Sequence, residues 1–122
     1  MKILLIEPDN LLAEIYVRVL KEEGHTILRV SSAQAAITQA DKLSPDIVIL
    51  ELQLPFHNGI EFLYEFRSYS EWQKIPVIIN TFADIRKIFI SSSLGVSKLL
   101  YKPNTSLRQL LRAVNYAISV TS

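Results

Sequence analysis

The chain contains no cysteine, which excludes disulfides, thiolate nucleophiles and cysteine-bound metals together. Glycine is scarce as well. Gly24, Gly59 and Gly95 are the only three, each at a predicted helix end, so no Gly-rich loop is available to cradle a phosphate. Nothing approaches the ~18 consecutive apolar residues of a membrane span. The opening "MKILLIEPD" meets Glu7 and Pro8 too early for a secretory signal. Net charge is nearly absent, at +1; no basic stripe marks nucleic acid as the main partner, and there is no acidic tail. Of the two histidines, His25 is expected at the surface and His57 solvated in a loop, and neither pairs with a nucleophile or a metal-ligand set.

What is present is a strongly apolar chain, 49% hydrophobic and 20% charged, the composition of a folded globular protein. Its 122 residues match one domain on the usual prior of ~100–200 residues. A soluble single domain over 1–122 is therefore expected, in a reducing cytoplasm and with no membrane partner.

Apolar runs alternate with segments of helical period. "KILLI" (Lys2–Ile6), "DIVIL" (Asp46–Leu50) and "IPVIIN" (Ile75–Asn80) read as strands buried on both faces of a parallel sheet. "HTILRV" (His25–Val30) is a more polar strand nearer an edge, and "SKLLY" (Ser97–Tyr101) is a fifth. Between them the pattern predicts a helix capped by Asn10 and running to about Glu23, with Leu11, Leu12, Ile15, Val19 and Leu20 on one side. Further helices are predicted over Ser32–Leu43, Gly59–Ser68 and Ala83–Leu94, and a last one is capped by Ser106. Five βα units imply a doubly wound α/β fold with right-handed crossovers. In such a sheet functional groups collect at the carboxyl ends of the strands, near the point where strand order reverses.

Those ends carry Glu7, Pro8 and Asp9 after the first strand and Glu51 after the third. Thr81 follows the fourth, and Lys102-Pro103 follows the fifth. With "ILLIEPDNLLAEI", "PDIVILELQLPFHNGIEFL", "IPVIINTFAD" and "GVSKLLYKP" in this order, the chain resembles the receiver domain of two-component response regulators over Lys2 to about Ile118. The resemblance implies a CheY-like, flavodoxin-like fold of strand order 2-1-3-4-5. It also implies a phosphorylation switch, in which an aspartate after the third strand takes a phosphoryl group from a histidine kinase. Acidic residues after the first strand hold Mg²⁺, a Thr or Ser after the fourth contacts the phosphoryl group, and a Lys after the fifth pairs with it.

Thr81, Lys102 and Glu7 match that pattern; other positions depart from it. Glu51 stands at the phosphoacceptor aspartate, one methylene too long for the attacking position, and a misplacement of about 1 Å costs ~10²-fold in rate. Pro8 stands at the second acidic position and removes a ligand, while Asp9 lies one place beyond it. Tight Mg²⁺ binding is not expected, nor any other cofactor. Phe82 follows Thr81 where a small residue is usual, over the site mouth, and Leu99 stands where an aromatic switch residue is common. Glu51 then has two main readings: a standing mimic of phospho-aspartate that reaches Thr81 or Lys102, or a vestige that merely pairs with Lys102.

Ile88, Phe89 and Ile90 are consecutive on the predicted fourth helix, where successive residues turn by about 100° and cannot all face one core. At least one of them is expected to be exposed or in an interface, and Leu99 and Tyr101 alternate onto one side of the fifth strand. The resemblance to receiver domains implies that the fourth helix, the fifth strand and the last helix form the partner face, for a kinase, an effector or a second copy. The expected function is that of a non-enzymatic pseudo-receiver acting by protein–protein interaction. A Mg²⁺-dependent phosphoacceptor using Glu51 or a nearby group, and a small flavodoxin-like ligand-binding domain, are the alternatives.

Overall fold

Five apolar runs become five strands: β1 (Lys2–Ile6), β2 (Thr26–Val30), β3 (Ile47–Leu50), β4 (Val77–Thr81) and β5 (Val96–Tyr101). They belong to a computed structural model that describes residues 1–121. The strands form one sheet in the order β2-β1-β3-β4-β5, every neighbouring pair parallel. This is the flavodoxin-like order expected. Four α-helices cover it: α1 (Asn10–Glu22), α2 (Ala33–Leu43), α3 (Gly59–Ser68) and α4 (Leu107–Thr121).

Alternate residues of a strand point to opposite faces, so the central strands supply two cores. Ile3, Leu5, Ile49 and Ile78 pack under α1 and α4 against Tyr16, Leu20 and Val114. Leu4, Ile6, Leu50 and Ile79 pack under α2 and α3 against Ala36, Phe62 and Phe66. Burying each such Leu, Ile or Phe stabilises the fold by ~1.5–3 kcal/mol. On α1 the inward residues are Ala13, Tyr16 and Leu20, whereas Leu11, expected inward, is 67% exposed.

Local chemistry sets the helix starts. Asp9, not Asn10, caps α1, its Oδ1 accepting from the Leu12 amide at 2.9 Å. Ser32, Asn58 and Ser106 accept in the same way from Ala35, Glu61 and Gln109. Gly59 opens α3 directly against the end of β3: a Cβ there would lie 2.7 Å from Leu52 Cα. That close approach is what glycine permits at this point.

The helix expected over Ala83–Leu94 does not form. Two single 3₁₀ turns, Ile85–Lys87 and Ser92–Leu94, flank a stretch without regular structure. β-Branched isoleucines and a run of three serines disfavour a helix interior, and short polar side chains compete for the backbone. Asp84 and Ser91 do so here, each accepting from the amide two residues on. Between the turns, Ile88 and Ile90 pack against the core while Phe89 is 87% exposed. Apolar alternation of an extended chain replaces the expected helical face. His25, expected at the surface, is half-buried, whereas His57 is exposed.

Candidate functional site

Sheet order places the ends of β1 and β3 side by side, and the backbone carries their register into the site. The Glu51 amide donates to the Ile6 carbonyl and the Glu7 amide to the Val30 carbonyl, both at 3.0 Å. Both carboxylates are buried. Lys102, entering from the end of β5, sets its Nζ 2.6 Å from Glu7 Oε1 and 2.7 Å from Glu51 Oε1. One ammonium thus stands between two carboxylates, all three side chains almost wholly out of solvent.

Each oxygen of Glu51 takes two donors. Oε1 accepts from Lys102 Nζ and from the Phe82 amide at 3.1 Å. Oε2 accepts from the Thr81 hydroxyl and from the Gln53 amide at 3.0 Å. Thr81 Oγ1 in turn accepts from the Ala83 amide at 3.0 Å, which fixes its rotamer. Burial pushes the Glu51 carboxyl up, but the bonds from Lys102, Thr81 and Gln53 outweigh it and hold the group below its ordinary value. Burial likewise pushes Lys102 down, and the contacts with Glu51 and Glu7 outweigh that, leaving its pKa raised. The pair is ionised at neutral pH, and its charge is satisfied by geometry rather than by water.

Pro8 and Asp9 adjoin this cluster without joining it. The Asp9 carboxylate is the α1 cap, and the Asp9 amide donates to Glu7 Oε2 at 3.0 Å. The aromatic ring of Phe82 covers the mouth, its centroid 4.8 Å from Lys102 Nζ, and the residue is 48% exposed. Among the described residues, no three His, Asp or Glu side chains gather where they could hold a metal ion. Of the residues on the suggested partner face, Ile90 and Leu99 line one groove; Leu99 and Tyr101 are half-buried on β5.

Three features escape a reading of sequence alone. Arg29 of β2 donates to the Glu7 carbonyl at 2.9 and 2.7 Å, and more weakly to Pro8, clamping the β1–α1 loop. An arginine opposite Leu5 in an apolar strand was the available signal. Phe56, in the loop after β3, has φ +65° and is fully exposed. Beneath the site, Asn80 is buried with no hydrogen-bond partner for its Oδ1 among the described residues. Tyr16, which hydrogen-bonds Asn80, has its phenol pushed up by burial.

Comparisons with known proteins bear on this arrangement. The family model described as "Response regulator receiver domain" matches residues 3–115. The DNA-binding response regulator MtrA of Mycolicibacterium paratuberculosis is 30% identical over 103 residues, 84% of this chain and 44% of that protein. The sensory transduction protein RegX3 of Mycobacterium bovis is 31% identical over 114 residues, 92% of this chain and 48% of that one. The chain thus spans less than half the length of these relatives. Among solved structures, a sensor protein from Polaromonas sp. JS666 superposes with a TM-score of 0.90 at 25% identity, covering 99% of this chain and 98% of that one. The chemotaxis response regulator CheY4 of Vibrio cholerae, with a TM-score of 0.86 at 20% identity over 95% and 97% of the two chains, shares the fold.

Proposed function

We propose that this chain, which belongs to the family of response regulator receiver domains, is a pseudo-receiver: one domain over 1–122, cytoplasmic, that signals by binding a protein and does not turn over a substrate. The observation that carries this reading is the fourfold bonding of Glu51. Both carboxylate oxygens already hold the two side chains, Thr81 and Lys102, that a receiver offers to a phosphoryl group. A standing anion occupies the place of a transient one, which favours the mimic over the vestige.

The residues do not fit a bound Mg²⁺. Pro8 has no donor side chain, Asp9 is engaged as a helix cap, and the Lys102 ammonium already lies between the two remaining carboxylates. A divalent cation there would meet a positive charge and too few oxygens. Phosphotransfer to Glu51 would further need one of its oxygens to leave two donors and pass Phe82.

The test is to incubate the protein with Mg²⁺ and a small phosphodonor and to measure intact mass. The expected result is no adduct, and a stoichiometric phosphoryl adduct would overturn the reading. Trp72 serves as the folding control: it stacks on Phe66 at 5.0 Å, beyond the far end of α3, and does not report on the site.

A further inference from the structure

Strand period assigns each polar group at the carboxyl edge to one side of the sheet. Leu5 of β1, Ile49 of β3, Ile78 of β4 and Leu100 of β5 all belong to the core under α1 and α4. Residues two further along share that side, which brings Glu7, Glu51, Asn80 and Lys102 to the face on which Tyr16 of α1 packs. All five are less than a tenth exposed. Asn80 and Tyr16 thus form a polar layer let into an apolar core, beneath the charged cluster.

The hydrogen-bonding capacity of these groups is unequally used. Glu51 has two donors on each carboxylate oxygen. Glu7 has one on each, Lys102 Nζ at Oε1 and the Asp9 amide at Oε2, so it keeps acceptor capacity that Glu51 has spent. Asn80 hydrogen-bonds Tyr16, while its Oδ1 has no partner among the described residues. Turning the amide over would only exchange its ends and leave Nδ2 unmatched instead. The Tyr16 hydroxyl, bonded on one side by that amide, is both donor and acceptor and has a second bond to make.

We infer that this layer is the binding site of one buried water, which bridges the free end of the Asn80 amide and the Tyr16 hydroxyl and gives its remaining proton to Glu7. Asn80 Nδ2 donates to Tyr16 Oη, the phenol proton goes to the water, and the water's two protons go to Asn80 Oδ1 and the Glu7 carboxylate. Three bonds are what a buried water commonly makes. Charge selects the occupant. An anion would meet Glu7 and Glu51 and a cation the Lys102 ammonium, and the Tyr16 phenol responds to all three charges. Burial, the largest influence on that phenol, pushes its pKa up and keeps it a neutral donor. Water is neutral, small and able both to donate and to accept. The bridge carries the hydrogen bonds of the cluster onto α1 through Glu7, and it does not rest on the pseudo-receiver reading, which concerns Glu51.

Water-¹⁷O relaxation dispersion counts the waters that stay inside a protein longer than it tumbles. At roughly one per 27 residues this chain holds about four or five, so losing one should lower the amplitude by about a fifth to a quarter. That drop is expected in Asn80→Leu, which removes the amide and fills its space, and in Tyr16→Phe, which removes only the hydroxyl. Glu51→Gln should keep the full amplitude, with circular dichroism confirming that each variant is folded. A high-resolution crystal structure of the unaltered protein should show a water within hydrogen-bond reach of both the Asn80 amide and Tyr16 Oη, and it decides alone if a variant does not fold. The inference is overturned by an unchanged amplitude in either folded variant, or by its loss in Glu51→Gln. It is equally overturned by a crystal structure in which protein groups bind both ends of the amide, or in which the space beside it is dry or holds an ion. A phosphoryl adduct in the phosphodonor experiment would sink the pseudo-receiver and leave this count of waters as it is.

Discussion

Lys102 Nζ donates to Glu51 Oε1 at 2.7 Å, joining the end of β5 to the end of β3 across 51 positions of sequence. A third charge, Glu7, lies 2.6 Å from the same nitrogen. Burying charges is costly, and removing one partner of a buried set leaves the others uncompensated.

Lys102→Met should therefore cost more than Glu51→Gln. The first leaves two buried carboxylates facing each other, at ~3–5 kcal/mol. The second leaves Lys102 paired with Glu7 and substitutes an amide that still accepts from Thr81, at ~1–3 kcal/mol. Urea midpoints of the two variants measure the order, and equal costs would mean that the lysine is not the central charge.

The same pair sets a stability window in pH. The folded pKa of Glu51 lies below its ordinary 4.5, so its share of stability is present above 4.5 and lost as pH falls through the lowered value. The folded pKa of Lys102 lies above its ordinary 10.5, so its share is full below 10.5 and lost as pH rises through the raised value. A flat plateau is expected between these limbs. Urea midpoints across that range should show Glu51→Gln flattening the acid limb without creating a new one near neutrality.

Arg29 holds the β1–α1 loop by its carbonyls. Arg29→Met should destabilise by ~1–3 kcal/mol, since hydrogen bonds from a charged donor are lost. Arg29→Lys should not restore the loss, because one ammonium cannot reproduce the guanidinium fork. Faster amide exchange confined to residues 7–12 is the accompanying signature.

Phe56 combines a left-handed backbone with a fully exposed ring. An L-residue in that conformation costs ~1–2 kcal/mol, and glycine loses ~0.5–1 kcal/mol in chain entropy. Phe56→Gly should therefore stabilise by about 0.5–1 kcal/mol, read as a higher urea midpoint. A loss instead would show that the ring has a partner on the folded chain.

Much of this architecture was legible because its code is local. Alternating buried runs and helical segments mark five βα units, and Glu7, Glu51, Thr81 and Lys102 fall at strand ends by counting alone. Local reasoning failed at Ala83–Leu94, where apolar residues suit a helix in composition but serine and β-branched positions let short caps and core contacts win. It failed again at Asp9, whose choice between cap and ligand depends on where Arg29 and Glu7 hold the loop.

What the sequence alone determined is which residues arrive at the carboxyl edge of a parallel sheet, since strand periodicity and chain order settle that before any folding. Only the tertiary structure decided how their atoms are shared: four donors on Glu51, one ammonium between two carboxylates, an arginine on the loop. Hydrogen bonds form over a few ångströms between groups tens of residues apart. Their allocation follows from strand register and burial, which no local pattern encodes.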